Sequence, residues 1–150
     1  MQSEVETIQF RIPADDKYVP TIRKAIQSIA SNLGFSKEVS EDIELSVDEA
    51  LANAIYHGSP QSKTNSVVVV CKVCDEKLMI EVRDEGPGFE PPKSNGSSEG
   101  ELWSEHGRGL RLIYNLMDNV NIRKTPKGSR IRMVKDRSEK QKCLATDGHR

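Results

Sequence analysis

Long apolar runs are missing from this chain: none approaches the ~18 residues needed to cross a bilayer as a helix. The opening MQSEVETIQF has neither the basic flank nor the apolar stretch of a signal peptide, so the expectation is a soluble, cytoplasmic protein with no membrane partner. An excess of charge is missing too. The 22 Lys and Arg nearly cancel the 23 Asp and Glu, and a net charge of -1 gives no general field toward DNA or RNA. Nucleic acid is therefore not an expected partner, although a local patch remains compatible with this balance. Cysteine is scarce and odd in number: Cys71 and Cys74 sit in a β-branched run and Cys143 in a polar stretch, with no second pair or nearby His to complete a zinc set. They read as reduced thiols. At 35% hydrophobic content, 150 residues suffice for one core and hardly for two, which predicts one domain over 1–136 and a polar, disordered tail over 137–150.

What the chain does have is periodicity. Ile8, Phe10 and Ile12 alternate with Gln9 and Arg11, which predicts a half-buried strand over 4–12 ending at Pro13. Val19, Ile22, Ile26, Ile29 and Leu33 recur at helical spacing, with Gly34 as the stop. Ser36 is placed to cap a second helix, of about twenty residues, whose apolar line runs through Val39, Ile43, Val47, Ala50, Leu51 and Ala54 to the breaker His57-Gly58-Ser59-Pro60. Val67 to Val73 and Leu78 to Val82, joined through Asp75-Glu76, predict an antiparallel hairpin of two potentially central strands.

From Asp84 to Gly109 the composition turns to Gly, Pro and Ser, without apolar period, as in a lid or binding loop. Leu110, Ile113, Leu116 and Met117 give a third helix, and Val120 to Ile122 and Ser129 to Val134 give two further strands. This order predicts an α+β fold: a two-layer α/β sandwich whose mixed, mostly antiparallel sheet is covered on one face by helices. A doubly wound nucleotide fold is not expected, because strict βαβ alternation is lacking.

Three places could hold chemistry. Glu49 and Asn53 lie one turn apart on the second helix; they form either an ordinary solvated face or a carboxylate and an amide able to accept a proton and ligate a hard cation. Asp84-Glu85-Gly86-Pro87-Gly88-Phe89 follows a strand directly, and is either a plain turn or a carboxylate reading an amino group beside glycines that admit a ligand. Gly107-Arg108-Gly109 opens the third helix, and either gives a sharp entry or leaves backbone N–H groups for an anion.

Taken together and in this order, the segments Asp48 to Gly58, Arg83 to Phe89 and His106 to Ile113 resemble the N, G1 and G2 boxes of the histidine-kinase-like ATPase (GHKL, Bergerat fold) superfamily. Within it the chain is most similar to the small anti-sigma-factor serine-protein kinases, over roughly residues 5–135. The resemblance implies ATP and Mg2+, with Asn53 as the metal ligand, Asp84 on the adenine amine, and Gly86 and Gly88 shaping the adenine pocket. It implies Gly107, Arg108, Gly109 and the Leu110 amide at the phosphates, Ser129 near the adenine where the family usually has threonine, and Glu49 as the catalytic base.

The partners implied are a STAS-domain anti-anti-sigma protein phosphorylated on serine, a sigma factor, and a second copy in a homodimer. Two-component histidine kinases share this domain but need a helical phosphoacceptor module, for which this chain has no room; His57 reads as a capping or packing residue. One departure stands out: Glu105 and His106 occupy the place where some relatives carry a basic residue, with Arg108 inside the box instead. It keeps open a non-catalytic, nucleotide-gated binding module that sequesters its partner, beside a weak ATPase switch without a protein substrate.

Overall fold

The computed structural model describes residues 5–58, 65–85, 107–126 and 128–137. Strand β1, Glu6–Pro13, leads through a 3-10 turn at Asp16–Tyr18 into helix α1, Val19–Asn32. Ile22, Ile26 and Ala30 bury one stripe of α1, and the helix closes in a Schellman motif. Gly34 takes φ +88 and donates its N–H to the Ser31 carbonyl, while the N–H of buried Phe35 reaches back to Ala30. Ser36 then opens helix α2, Lys37–Asn53, its hydroxyl accepting from the Val39 N–H at 3.2 Å.

The predicted apolar line of α2 is the buried one, with Ile43, Val47, Ala50 and Leu51 wholly inaccessible. The α-helix stops earlier than its sequence pattern implies. From Ala54 to Gly58 the backbone widens into a π turn that still buries Ala54 and Ile55.

Strands β2, Ser66–Cys74, and β3, Lys77–Asp84, form the expected hairpin, turning through Asp75 at φ 55. Helix α3, Gly107–Leu116, precedes a second hairpin of β4, Asn119–Thr125, and β5, Gly128–Asp136. The strand order is β1-β2-β3-β5-β4. Every pairing among the described residues is antiparallel, which corrects the expected mixed sheet.

The physical reason for that correction is the insertion of β5. Strands β3 and β4 run the same way and would have made a parallel pair, but β5 lies between them and opposes both. Its inward residues Ser129, Ile131, Met133 and Lys135 are all buried, whereas β4 offers only half-buried Val120 and Ile122 among Asn, Arg and Lys, a composition suited to an edge.

The core lies between one face of this sheet and the helices: Val67, Val69, Cys71, Leu78, Ile80, Val82, Ile131 and Met133 pack with Ile26, Ile43, Leu51, Leu110 and Ile113. Cys71 and Cys74 are free thiols, as expected, and burial pushes the Cys71 thiol up to about 12. Among the described residues no helix is long and apolar enough to cross a membrane. Arg137 is tied to the hairpin turn, its backbone N–H on the Glu76 carbonyl at 2.7 Å and its guanidinium on the Glu76 carboxylate at 2.9 Å.

Candidate functional site

The last residue of α2 is the site's most informative one. Asn53 is only 4% exposed, so the solvated-face reading fails for it. Its amide Nδ2 donates to the Glu49 carbonyl at 3.0 Å, which fixes the rotamer, and its Oδ1 has no hydrogen-bond partner among the described residues. A buried acceptor without a donor costs about 1–3 kcal/mol. Such an oxygen, held on a rigid helix end, is the donor type a hard cation takes. No cluster of three acidic, His or Cys side chains suited to a metal exists among the described residues, so a cation here would rest on Asn53 and on groups brought by its ligand.

One turn back, half-buried Glu49 lies against α3, which packs on α2. A Cβ placed on Gly109 would stand 2.4 Å from Glu49 Oε1, so the carboxylate fits only because residue 109 has no side chain. Gly107, Arg108, Gly109 and Leu110 are the first turn of α3, where unpaired N–H groups and the helix dipole favour an anion. Leu110 sends its own side chain into the core and so secures that turn. At the far end of α3, Lys135 Nζ donates to the Leu116 carbonyl at 2.6 Å.

The sheet supplies the other half. Asp84 ends β3 at 5% exposure, and its Oδ1 accepts from the Ser129 N–H at 3.2 Å. Gly128 makes this possible: it takes φ +152, and a Cβ there would fall 2.1 Å from the Asp84 carbonyl oxygen. The two halves meet through the π turn, which follows Asn53 directly and packs on β3 and β5.

The structure thus brings Glu49, Asn53, Gly109 and Leu110 together on the helical layer and Asp84 and Ser129 together on the sheet. Gly86, Gly88 and Glu105 lie outside the described residues.

Several supporting residues had no sequence signal. Arg23 Nε donates to both oxygens of Asp48, at 3.0 and 3.1 Å, and so ties α1 to α2 beside Glu49. Tyr56 of the π turn donates its hydroxyl to Asp16, and that hydrogen bond raises the phenol above its ordinary range. Neither pairing follows from helical spacing, since the partners are 25 and 40 residues apart.

Residues 12–135 match the family described as the histidine kinase-like ATPase domain, and the chain belongs to that family. It is 31% identical over 130 residues to the serine-protein kinase RsbW of Bacillus subtilis, covering 81% of each chain. It is 33% identical over 143 residues to the serine-protein kinase RsbW of Staphylococcus epidermidis, covering 90% of this chain and 89% of the relative. Among solved structures, the RsbU and RsbW domains of a Mycobacterium tuberculosis protein superpose with a TM-score of 0.64 at 18% identity, and a histidine kinase domain from Erythrobacter litoralis with 0.59 at 21%. The chain covers 87% and 89% of itself in these matches but spans only 32% and 65% of those proteins, which share its fold.

Proposed function

We propose that this chain is a cytoplasmic, ATP-dependent serine-protein kinase and anti-sigma factor, which phosphorylates a serine of a STAS-domain anti-anti-sigma partner and otherwise holds a sigma factor. The observation that carries the reading is the buried, partnerless Oδ1 of Asn53, one turn from a carboxylate seated on the N-terminal turn of α3. In this reading the chain works as a homodimer whose ATPase domain spans 1–136. Mg2+ and ATP, when bound, supply the charge neutralisation and the phosphoryl group.

The residues divide the work. Asp84, oriented by the Ser129 N–H, accepts a hydrogen bond from the adenine amine, with Gly86 and Gly88 bordering that end. Asn53 Oδ1 holds the cation, and the Gly107, Gly109 and Leu110 amides with Arg108 receive the phosphates. Glu49 would take the proton of the incoming serine hydroxyl as that oxygen bonds to the γ-phosphorus and ADP leaves, with base and phosphate site carried by two helices in direct contact.

Phosphate transfer from γ-labelled Mg-ATP to a purified STAS-domain protein tests this. Glu49→Ala should abolish labelling while nucleotide binding is largely kept, and Asn53→Ala should weaken Mg-dependent binding itself. Unchanged labelling in Glu49→Ala sinks the base assignment. Bound nucleotide and retained partner with no label in the wild type would favour the sequestering, non-catalytic module.

A further inference from the structure

Helix α2 does not end as α1 does. A helix commonly closes on a left-handed residue, as α1 does at Gly34. Ala54, which follows Asn53, instead keeps a right-handed helical backbone, φ -63 and ψ -40, and hands the chain straight to the π turn. Leu51, Ala52 and Asn53 bring no basic group to the negative end of the helix dipole. Single π turns are rare, cluster at functional sites, and persist where the surrounding structure holds them.

Two sets of contacts hold this one. On its inner side Ala54 and Ile55 are buried, and the turn packs on β3 and β5. On its outer side the Tyr56 hydroxyl donates to the Asp16 carboxylate. The anchor that Tyr56 reaches is itself well tied. The Ala14 N–H donates to the Asn65 carbonyl at 3.1 Å, and the Tyr18 N–H to the Asp15 carbonyl at 3.2 Å. Asp15 Oδ1 caps the 3-10 turn by accepting from the Lys17 N–H at 3.0 Å. Asp16 thus stands on a short, fully bonded step between β1 and α1, 40 residues before its partner.

A hydrogen bond this open to water adds little to global stability, since Tyr56 is 54% exposed and water competes for both partners. Its leverage is local. Tyr56 lies three residues beyond Asn53, whose Oδ1 is buried without a hydrogen-bond partner among the described residues and whose amide donor is engaged by the Glu49 carbonyl. An acceptor in that condition is stabilised by any motion that brings it to water. Its aim therefore depends on how firmly the chain beyond it is wound.

We propose that Tyr56 and Asp16 form a latch that keeps the π turn wound and thereby aims Asn53 Oδ1 at the cation of a bound Mg-nucleotide. Tyr56 is then a positioning residue, acting on the cation through Asn53. Groups that orient a metal's direct ligand raise affinity because that ligand needs no rearrangement when the metal arrives. The inference rests on the cation role of Asn53 given above. It also divides the nucleotide's affinity in two. The latch governs the metal-dependent part and leaves the adenine end alone, because Asp84 is oriented from the sheet by the Ser129 N–H.

The test titrates the full-length chain with a fluorescent ATP analogue in Mg2+ and, separately, in EDTA; the ratio of the two affinities is the metal-dependent gain. Tyr56→Phe keeps the ring and deletes the donor, and should cut that gain about fivefold, the effect of losing one net hydrogen bond, with affinity in EDTA unchanged. Asp16→Ala should do the same, and Asp16→Asn, which keeps a carbonyl acceptor, should recover most of the gain. Tyr56→Phe and Asp16→Ala combined should be no worse than either alone, as for two halves of one contact. Hydrogen exchange of the nucleotide-free variants should quicken over 54–58, a readout that needs no metal. Equal weakening in Mg2+ and in EDTA would make the pair a structural tether and overturns the proposal, as do single effects that simply add. A wild type without any metal-dependent gain overturns the cation role of Asn53 and the latch with it. A gain present in the wild type and kept in Tyr56→Phe overturns the latch alone.

Discussion

Glu49 and Gly109 share one space: the carboxylate of the first fills the volume that any side chain on the second would need, 2.4 Å from the position of its Cβ. The conflicting atom is the end of a flexible side chain, so Gly109→Ala should displace the carboxylate rather than unfold the protein. Replacing a helical glycine by alanine even returns about 0.5–1 kcal/mol of backbone entropy. The expected outcome is a variant of near-normal melting temperature whose phosphate transfer falls at least tenfold, about 1.4 kcal/mol in transition-state terms. Normal transfer in a well-folded Gly109→Ala would mean that the carboxylate's seat is irrelevant to turnover.

Gly128 faces backbone instead. A Cβ there would meet the Asp84 carbonyl at 2.1 Å, and its φ of +152 is one that other residues rarely adopt. Gly128→Ala should therefore cost about 3 kcal/mol or more, because neither the main chain of β3 nor the dihedral can yield cheaply. Denaturant melts would measure the loss. Nucleotide affinity of the folded fraction should fall with it, since the Ser129 N–H that orients Asp84 is the next donor along.

Lys135 is 5% exposed, and its ammonium donates to the last carbonyl of α3 while standing 3.6 Å from Asp118. Lys135→Met keeps the apolar stem and deletes the donor. About 1 kcal/mol should be lost by leaving the part-buried Leu116 carbonyl without that partner. Hydrogen exchange should quicken over the last turn of α3. Unaltered protection there would show that α3 is anchored by packing alone.

Burial by itself would raise the Glu81 carboxyl, but the hydrogen bonds and charges of Arg83 and Arg132 outweigh it and hold the group below its ordinary value of 4.5. A depressed carboxyl contributes stability that is fully present above its unfolded value and is lost as the pH falls through the folded one. Unfolding free energy should thus decline as the solution is acidified below about 4.5, and Glu81→Gln should flatten that decline. An acid limb of the same steepness in the variant would assign it to other carboxylates.

Local signals carried far in this chain. Helix periodicity, the Ser36 cap and the Gly34 stop led directly to α1 and α2, and β-branched runs to the β2–β3 hairpin. The insertion of β5 beside β3 was not legible, because the choice depends on which strand buries more against helices distant in sequence. The one-turn spacing of Glu49 and Asn53 was readable, whereas the covering of that face by α3 was not. A 3.6-residue repeat shows which side chains align and is silent on what packs over them. The π turn was hidden for a related reason: Ala54 and Ile55 continue the apolar pattern, and only contacts with β3 and β5 reveal the wider winding.

The division of the site between layers bears on mechanics. Asp84 and Ser129 belong to the sheet, whereas Asn53, Glu49 and Gly109 belong to helices, and the π turn is the narrow seam between them. A nucleotide gripped at both ends would act as a rivet through that seam. Occupancy would then add to the stability of the folded molecule, by RT ln(1 + [L]/Kd) as ligand concentration rises. The ratio of ATP to ADP in its surroundings would reach a docked protein as a difference in the stability of its support.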